Sequence, residues 1–347
     1  MKDSYKKLTL APFCYSTHSV GEKAKATIIL LLPQFIMLFV TKCYSSILLI
    51  FLATIASLAA DCAEAFSKKR PVKPASTIYL QGILIGFLMP FDYPPVKAFF
   101  LIFFTLLLTQ YAFGGFAQSW ANPVAICIIV LYLFFGEKFP NYLVNVSHLQ
   151  RTGSFFKLLD DGLITKFSFD SSITGFLNMK VFEHAGINLP EGYVSIFLDN
   201  GSPIPAFRFN FLTLFSTLVL ISLNLLDWVI PLISITVYII LVRVFGLFPY
   251  GGLLGQGDML LAIFTGGTLF CTFFLLSWPG TTPLSIPGKL IYALITGIFA
   301  FLINGCGTSC FGAFFIILAA NIISPIIQYL EDCIYLSFKL KRLEIKQ

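Results

Sequence analysis

Residues 45–65 read SSILLIFLATIASLAADCAEA, with no charge from Ser45 to Ala60 and acids only at Asp61 and Glu64. About 20 apolar residues make a helix long enough to cross the hydrocarbon of a bilayer. No water solvates peptide groups there, so a helix that satisfies them internally is the structure such a run adopts. Working outward, comparable runs occur at 26–41, 76–90, 96–112, 122–135, 209–226, 228–246, 259–277, 288–303 and 310–330. The expected fold class is an all-α integral membrane protein of about ten transmembrane helices.

The whole chain has the same character. Hydrophobic residues make up 57% of its 347 positions and charged residues 12%, with a mean hydropathy of +0.86. A soluble domain carries roughly a quarter charged residues, so a large aqueous core cannot explain the deficit. The 39 phenylalanines suit helices that face acyl chains. The formal charge of +6 does not indicate nucleic acid, because the basic residues sit at chain ends and connectors rather than along one stripe.

Those basic residues set the expected orientation. Lys2, Lys6, Lys7, Lys23 and Lys25, then Lys68, Lys69, Arg70 and Lys73, then Lys289, and finally Lys339, Lys341, Arg342 and Lys346 fall on one side of a ten-span chain. They are 14 of the 23 lysines and arginines, and that side is expected to be cytoplasmic. The N-terminus lacks an apolar core with a small-residue cleavage pattern and reads as a retained tail. The expected organisation is a cytoplasmic tail over 1–25, a first five-helix unit over 26–135 and an extracytoplasmic loop over 136–206. A second five-helix unit over 207–330 and a basic cytoplasmic tail over 331–347 follow. Five is odd, so the halves enter the membrane from opposite sides, as inverted repeats do.

Two stretches depart from plain helix. Gly114-Gly115-Phe116-Ala117-Gln118-Ser119-Trp120-Ala121-Asn122-Pro123 breaks an uncharged run with glycines, a proline and amides. Irregular backbone at membrane depth needs shelter, so this is either a ligand site or a tight interhelical turn. Leu276 to Pro283 breaks a second run, after the small residues Thr265-Gly266-Gly267-Thr268, which suit close helix packing. Asp61 and Glu64 are candidate ion-path residues, although their place near a helix end also lets them reach water. His18, His148 and His184 form no metal spacing with Cys, Asp or Glu, and no nucleophile motif occurs. Cys306 and Cys310 are close in sequence without a second ligand pair.

GGFAQSWANPVA at 114–125 resembles GGLGQNPFNPA, a hallmark of the D subunit of the bacterial Rnf complex and the B subunit of sodium-translocating NADH:quinone reductase. Gly257 to Pro283 resembles the family's LLSGG…GAFF…TDPVT segment, Gly288–Ala293 its GRLIFGA and Asn321–Ile327 its closing NxxxPLI. The chain's length favours the Rnf type. The resemblance implies a flavoprotein subunit, not catalytic alone, of a complex that passes electrons between flavins and moves Na⁺ or H⁺ across a bacterial inner membrane. It implies FMN joined by a phosphoester to Thr174, within Ser171-Ser172-Ile173-Thr174, and a riboflavin held among the helices, with Gly114, Gly115, Asn122 and Pro123 as candidate flavin neighbours. Implied partners are membrane subunits A and E, flavoprotein G, iron–sulfur subunits B and C, and a periplasmic flavin transferase. This sequence departs from the pattern at Ser168, where relatives carry an acid (Asp170 lies nearby), at Ile173 for Ala, at Trp278 for Asp and at Gln328. A solute channel with inverted repeats and a subunit without covalent flavin are the rival readings.

Overall fold

A computed structural model describes residues 18–69, 71, 74–115, 119–140, 166–185, 189–245, 254–255, 257–304 and 311–344. Fourteen α-helices are present among them, and they carry the architecture. Four are long and apolar enough to cross a membrane: α1 (Val20–Val40), α2 (Tyr44–Ser67), α13 (Ile286–Asn304) and the apolar stretch Gly312–Tyr335 of α14 (Gly312–Glu344). Shorter apolar helices lie at other expected spans: α3 (Ser76–Phe87), α4 (Pro95–Leu106), α5 (Pro123–Phe135), α9 (Asn210–Ser222) and α10 (Val229–Phe245). A π turn extends α4 over Leu107–Tyr111.

The expected span at 259–277 is not one straight helix. α11 (Met259–Thr265) and α12 (Thr268–Phe270), with the π turn Cys271–Leu276, form a pair bent by 71°. The cause is local. Gly267 has φ +66, and a Cβ there would meet the Phe207 ring at 2.6 Å. The small residues therefore make a hinge pressed against an aromatic ring, in addition to letting elements approach. The last span also differs from expectation, since α14 continues through Glu331 and Asp332 to Glu344, into the segment read as a tail.

Helix ends follow local chemistry. Ser19 caps α1, its hydroxyl accepting from the Glu22 N–H while Glu22 accepts from the Ser19 N–H, which satisfies two first-turn donors. α3 packs along α2 at very short range. Cβ atoms at Gly82 and Gly86 would stand 2.5 Å from the Thr54 Cα and 2.4 Å from the Ile50 Cα. Gly82-Ile83-Leu84-Ile85-Gly86 is thus a small-xxx-small contact, in which missing side chains let two backbones meet.

Polar contacts fix which connectors share an end of the bundle. The Ser76 hydroxyl donates to the Gly21 carbonyl at 2.9 Å, joining the starts of α3 and α1. Lys289 pairs with Asp227, joining the start of α13 to the turn after α9. At other turns, the Phe91 N–H donates to the Pro203 carbonyl and Arg208 donates to the Cys43 sulfur. The turns after α1 and α3 therefore meet the segment before α9. That segment, within the expected long loop, holds α6 (Asp170–Leu177), α7 (Tyr193–Leu198) and α8 (Pro205–Arg208). Residues 141–165 of the loop lie outside the described residues, as do Cys306 and Cys310.

Candidate functional site

The most concentrated polar chemistry surrounds Asp170. Its carboxylate is 0% exposed at the start of α6 and accepts four hydrogen bonds. The Thr174 hydroxyl, one turn later, donates to Oδ1 at 3.0 Å, and the Gly192 N–H donates to the same oxygen at 2.8 Å. Oδ2 accepts from the Ser195 N–H at 2.8 Å and from the Ser195 hydroxyl. Gly192 has φ +106, a conformation few residues other than glycine adopt, which turns its N–H inward. Burial pushes the Asp170 carboxyl up, but the donors of Ser195, Gly192 and Thr174 outweigh it and hold the group below the usual carboxylate range.

This cluster decides how Thr174 is presented. The threonine is 2% exposed and its hydroxyl is turned onto Asp170, whereas Ser171 and Ser172 on the same helix are exposed. In this arrangement a phosphate on Thr174 would replace the hydroxyl hydrogen donated to Asp170 and lie against its buried carboxylate. Attachment would require the Thr174–Asp170 contact to open. The outer face of α6 carries Phe169, Ile173 and Phe176, all exposed, at helical spacing.

The other stretches singled out in the sequence converge in the bundle. Asn122 caps α5, its side-chain oxygen accepting from the Val124 N–H at 2.9 Å. Its amide nitrogen donates to the Leu275 carbonyl in the π turn at 2.9 Å. Both ends of the Asn122 amide are therefore engaged by the protein, and the segment is an interhelical joint at that residue. Gln328 of α14 donates to the Thr282 carbonyl at 3.3 Å, and Ser285 donates to Glu331. Trp278, which departs from the acid of the family pattern, is 2% exposed.

Gly114 and Gly115 end the α4 extension at φ +111 and +99, and a Cβ on Gly115 would lie 3.8 Å from Glu64 Oε1. The glycine turn thus sits on the acidic end of α2. Glu64 pairs with Lys68 at 2.7 Å. Asp61 is 2% exposed, so it does not reach water as its place near a helix end suggested. Among the described residues, the buried amides of Gln81, Gln110 and Asn321 find no hydrogen-bond partner. Among the described residues, no three His, Cys, Asp or Glu side chains gather to hold a metal. Sequence reading missed Gly192 and Ser195, which carry no motif; the i, i+4 spacing of Asp170 and Thr174 was the available signal.

The profile of the NQR2, RnfD, RnfE family matches residues 7–333. The chain belongs to that family. It is 26% identical over 339 residues to the D subunit of the ion-translocating oxidoreductase complex of Mannheimia succiniciproducens, covering 90% of this chain and 94% of the relative. It is 23% identical over 342 residues to the protein of the same name from Aliivibrio salmonicida, covering 93% and 95%. It is 22% identical over 334 residues to the D subunit of the Na(+)-translocating ferredoxin:NAD(+) oxidoreductase complex of Acetobacterium woodii, covering 96% of each.

Proposed function

We propose that this protein is the D-type membrane subunit of an Rnf-type ion-translocating ferredoxin:NAD oxidoreductase complex. It is a part of that machine and not an enzyme alone. The observation that carries the reading is the family match across residues 7–333, with relatives of that name matching along nearly their whole length. The exposed apolar residues on α6 support it too, because a subunit covered by partners can carry such a stripe outside the membrane.

Helix pairing supports ten spans in two inverted halves. α2 packs on α3 and α4, and α4 on α5; in the second half α10 packs on α11 and α13, and α13 on α14. The halves meet first helix to first helix, where Gln34 donates to Thr213 at 2.9 Å, and fifth to fifth, α5 against α14. Both termini are assigned to the cytoplasm on the lysine and arginine bias. The cavity among Ser234, Thr268, Cys271 and Thr296 is about 20 Å³, room for about one water.

Thr174 is our assignment for covalent FMN, and the break at 114–123 is where a riboflavin would lie. A flavin would supply one-electron transfer. Burial of Thr174 against Asp170 favours a second reading, a subunit without covalent flavin. Deleting this chain should abolish ferredoxin-dependent NAD reduction in membrane vesicles, with recovery on re-expression. Unchanged activity without it would end the proposal.

A further inference from the structure

At the end of the bundle that carries the 166–208 segment, a cavity of about 360 Å³ opens between the α1–α2 turn and the Ser202–Arg208 stretch. Its wall combines several features that suit a phosphate. Lys42, exposed in the turn, has no carboxylate partner among the described residues. The 24-residue helix α2 starts here with Cys43 at its cap and no side chain accepting from the first turn, so free N–H groups and the positive end of a helix dipole face the cavity. Ser46, 2% exposed, lines the wall and makes no side-chain hydrogen bond among the described residues. Arg208 gives Nε and Nη2 to Asp199 at 2.7 and 2.8 Å. Among the described residues, its Nη1 donates to the Cys43 sulfur, a weak acceptor, at 3.1 Å. Asp199 cancels most of the Arg208 charge, so Lys42 supplies the net positive charge.

A second feature says what kind of phosphate. An apolar groove of about 350 Å³ runs between α1, α2 and α3, and it continues the cavity along the same helix faces. Leu31 in the groove and Leu38 in the cavity are seven apart on α1, and Ser46 in the cavity and Ile50 in the groove are four apart on α2, while Phe91 of the cavity lies in the turn just after Phe87 of the groove. Residues at those spacings stack on one side of a helix. A charged cradle at the end of a bilayer-spanning hairpin, with an apolar channel directly along it, has the two-part chemistry of a phospholipid.

We propose that this site holds one anionic phospholipid, its phosphate against Lys42 and the start of α2 and one acyl chain in the groove between α1 and α2. The reading needs only that the hairpin spans the bilayer and is independent of any flavin. The test is native mass spectrometry of the full chain in detergent, with dioleoyl phosphatidylglycerol, dioleoyl phosphatidylcholine and glycerol phosphate as probes. One phosphatidylglycerol should be retained where phosphatidylcholine is lost. Lys42→Gly should weaken it about fivefold, the effect of one basic residue near a membrane surface. That variant suits the fold, because Lys42 has φ +57, which glycine adopts without strain. Leu32→Trp, on an exposed groove residue, should weaken the lipid and leave glycerol phosphate unchanged. Equal retention of both lipids, insensitive to both variants, would mean ordinary boundary lipid and overturn the proposal. Glycerol phosphate binding as tightly as phosphatidylglycerol would overturn it in favour of a free-anion site.

Discussion

The Thr174 hydroxyl donates to Asp170 Oδ1 at 3.0 Å from one helical turn away, so the proposed flavin acceptor and the buried acid beside it are a single hydrogen-bonded unit. A phosphoester removes the hydrogen that makes this contact and adds negative charge next to the carboxylate. The state of Thr174 and the order of the 166–199 segment should therefore change together.

With an active flavin transferase co-expressed, the tryptic peptide beginning at Phe167 should carry FMN minus water in the wild type. Thr174→Ala should lose the adduct, and Ser171→Ala should keep it in part. Peptide mass spectrometry decides the matter. An unmodified wild type would support the reading without covalent flavin, and an adduct on Thr165, which lies outside the described residues, would refute the site.

Protonating Asp170 should loosen its loop. The folded carboxyl lies below its ordinary value, so its stabilisation is fully present above about pH 4 and is lost as pH falls through the depressed folded value. Amide protection factors at Gly192 and Ser195 should fall in that acidic window, and Asp170→Asn should lower them at neutral pH. Exchange rates equal in wild type and variant would show that the carboxylate does not hold the loop.

Asn122→Ala removes a helix cap and leaves the buried Leu275 carbonyl without its donor. We expect a loss of about 1–3 kcal/mol, read as lower thermal stability in detergent, with membrane insertion retained. Unchanged stability would mean that the contact between the fifth helix and the π turn carries no weight.

Gly86→Ala should destabilise by about 1–3 kcal/mol, the cost of overpacking, because its Cβ would sit 2.4 Å from backbone that cannot move aside. Gly175→Ala is the contrasting case. No atom of the described residues lies within 4 Å of its Cβ, so the better helix former should be neutral or stabilising by up to about 1 kcal/mol. Equal thermal shifts for the two variants would contradict the close α2–α3 approach.

Composition and periodicity determined that the chain is helical and where its apolar runs lie, because exclusion of water from lipid leaves each run few alternatives. The second span illustrates this: the run read at 45–65 became α2, Tyr44–Ser67, within two residues. Its motifs determined the family, since Gly114–Ala125 and Gly257–Pro283 keep their pattern in one dimension. Only the tertiary structure decided what individual polar groups do. Asn122 became a joint because Leu275, 153 residues away, presents a carbonyl to it. Thr174 became buried because Gly192 and Ser195 draw Asp170 inward from a stretch without a motif. The 71° bend at Gly266–Gly267 likewise depends on the Phe207 ring. Hydrophobic partition acts on each segment by itself and is legible residue by residue. Hydrogen bonds and close packing act between segments, and their partners exist only once the chain has folded.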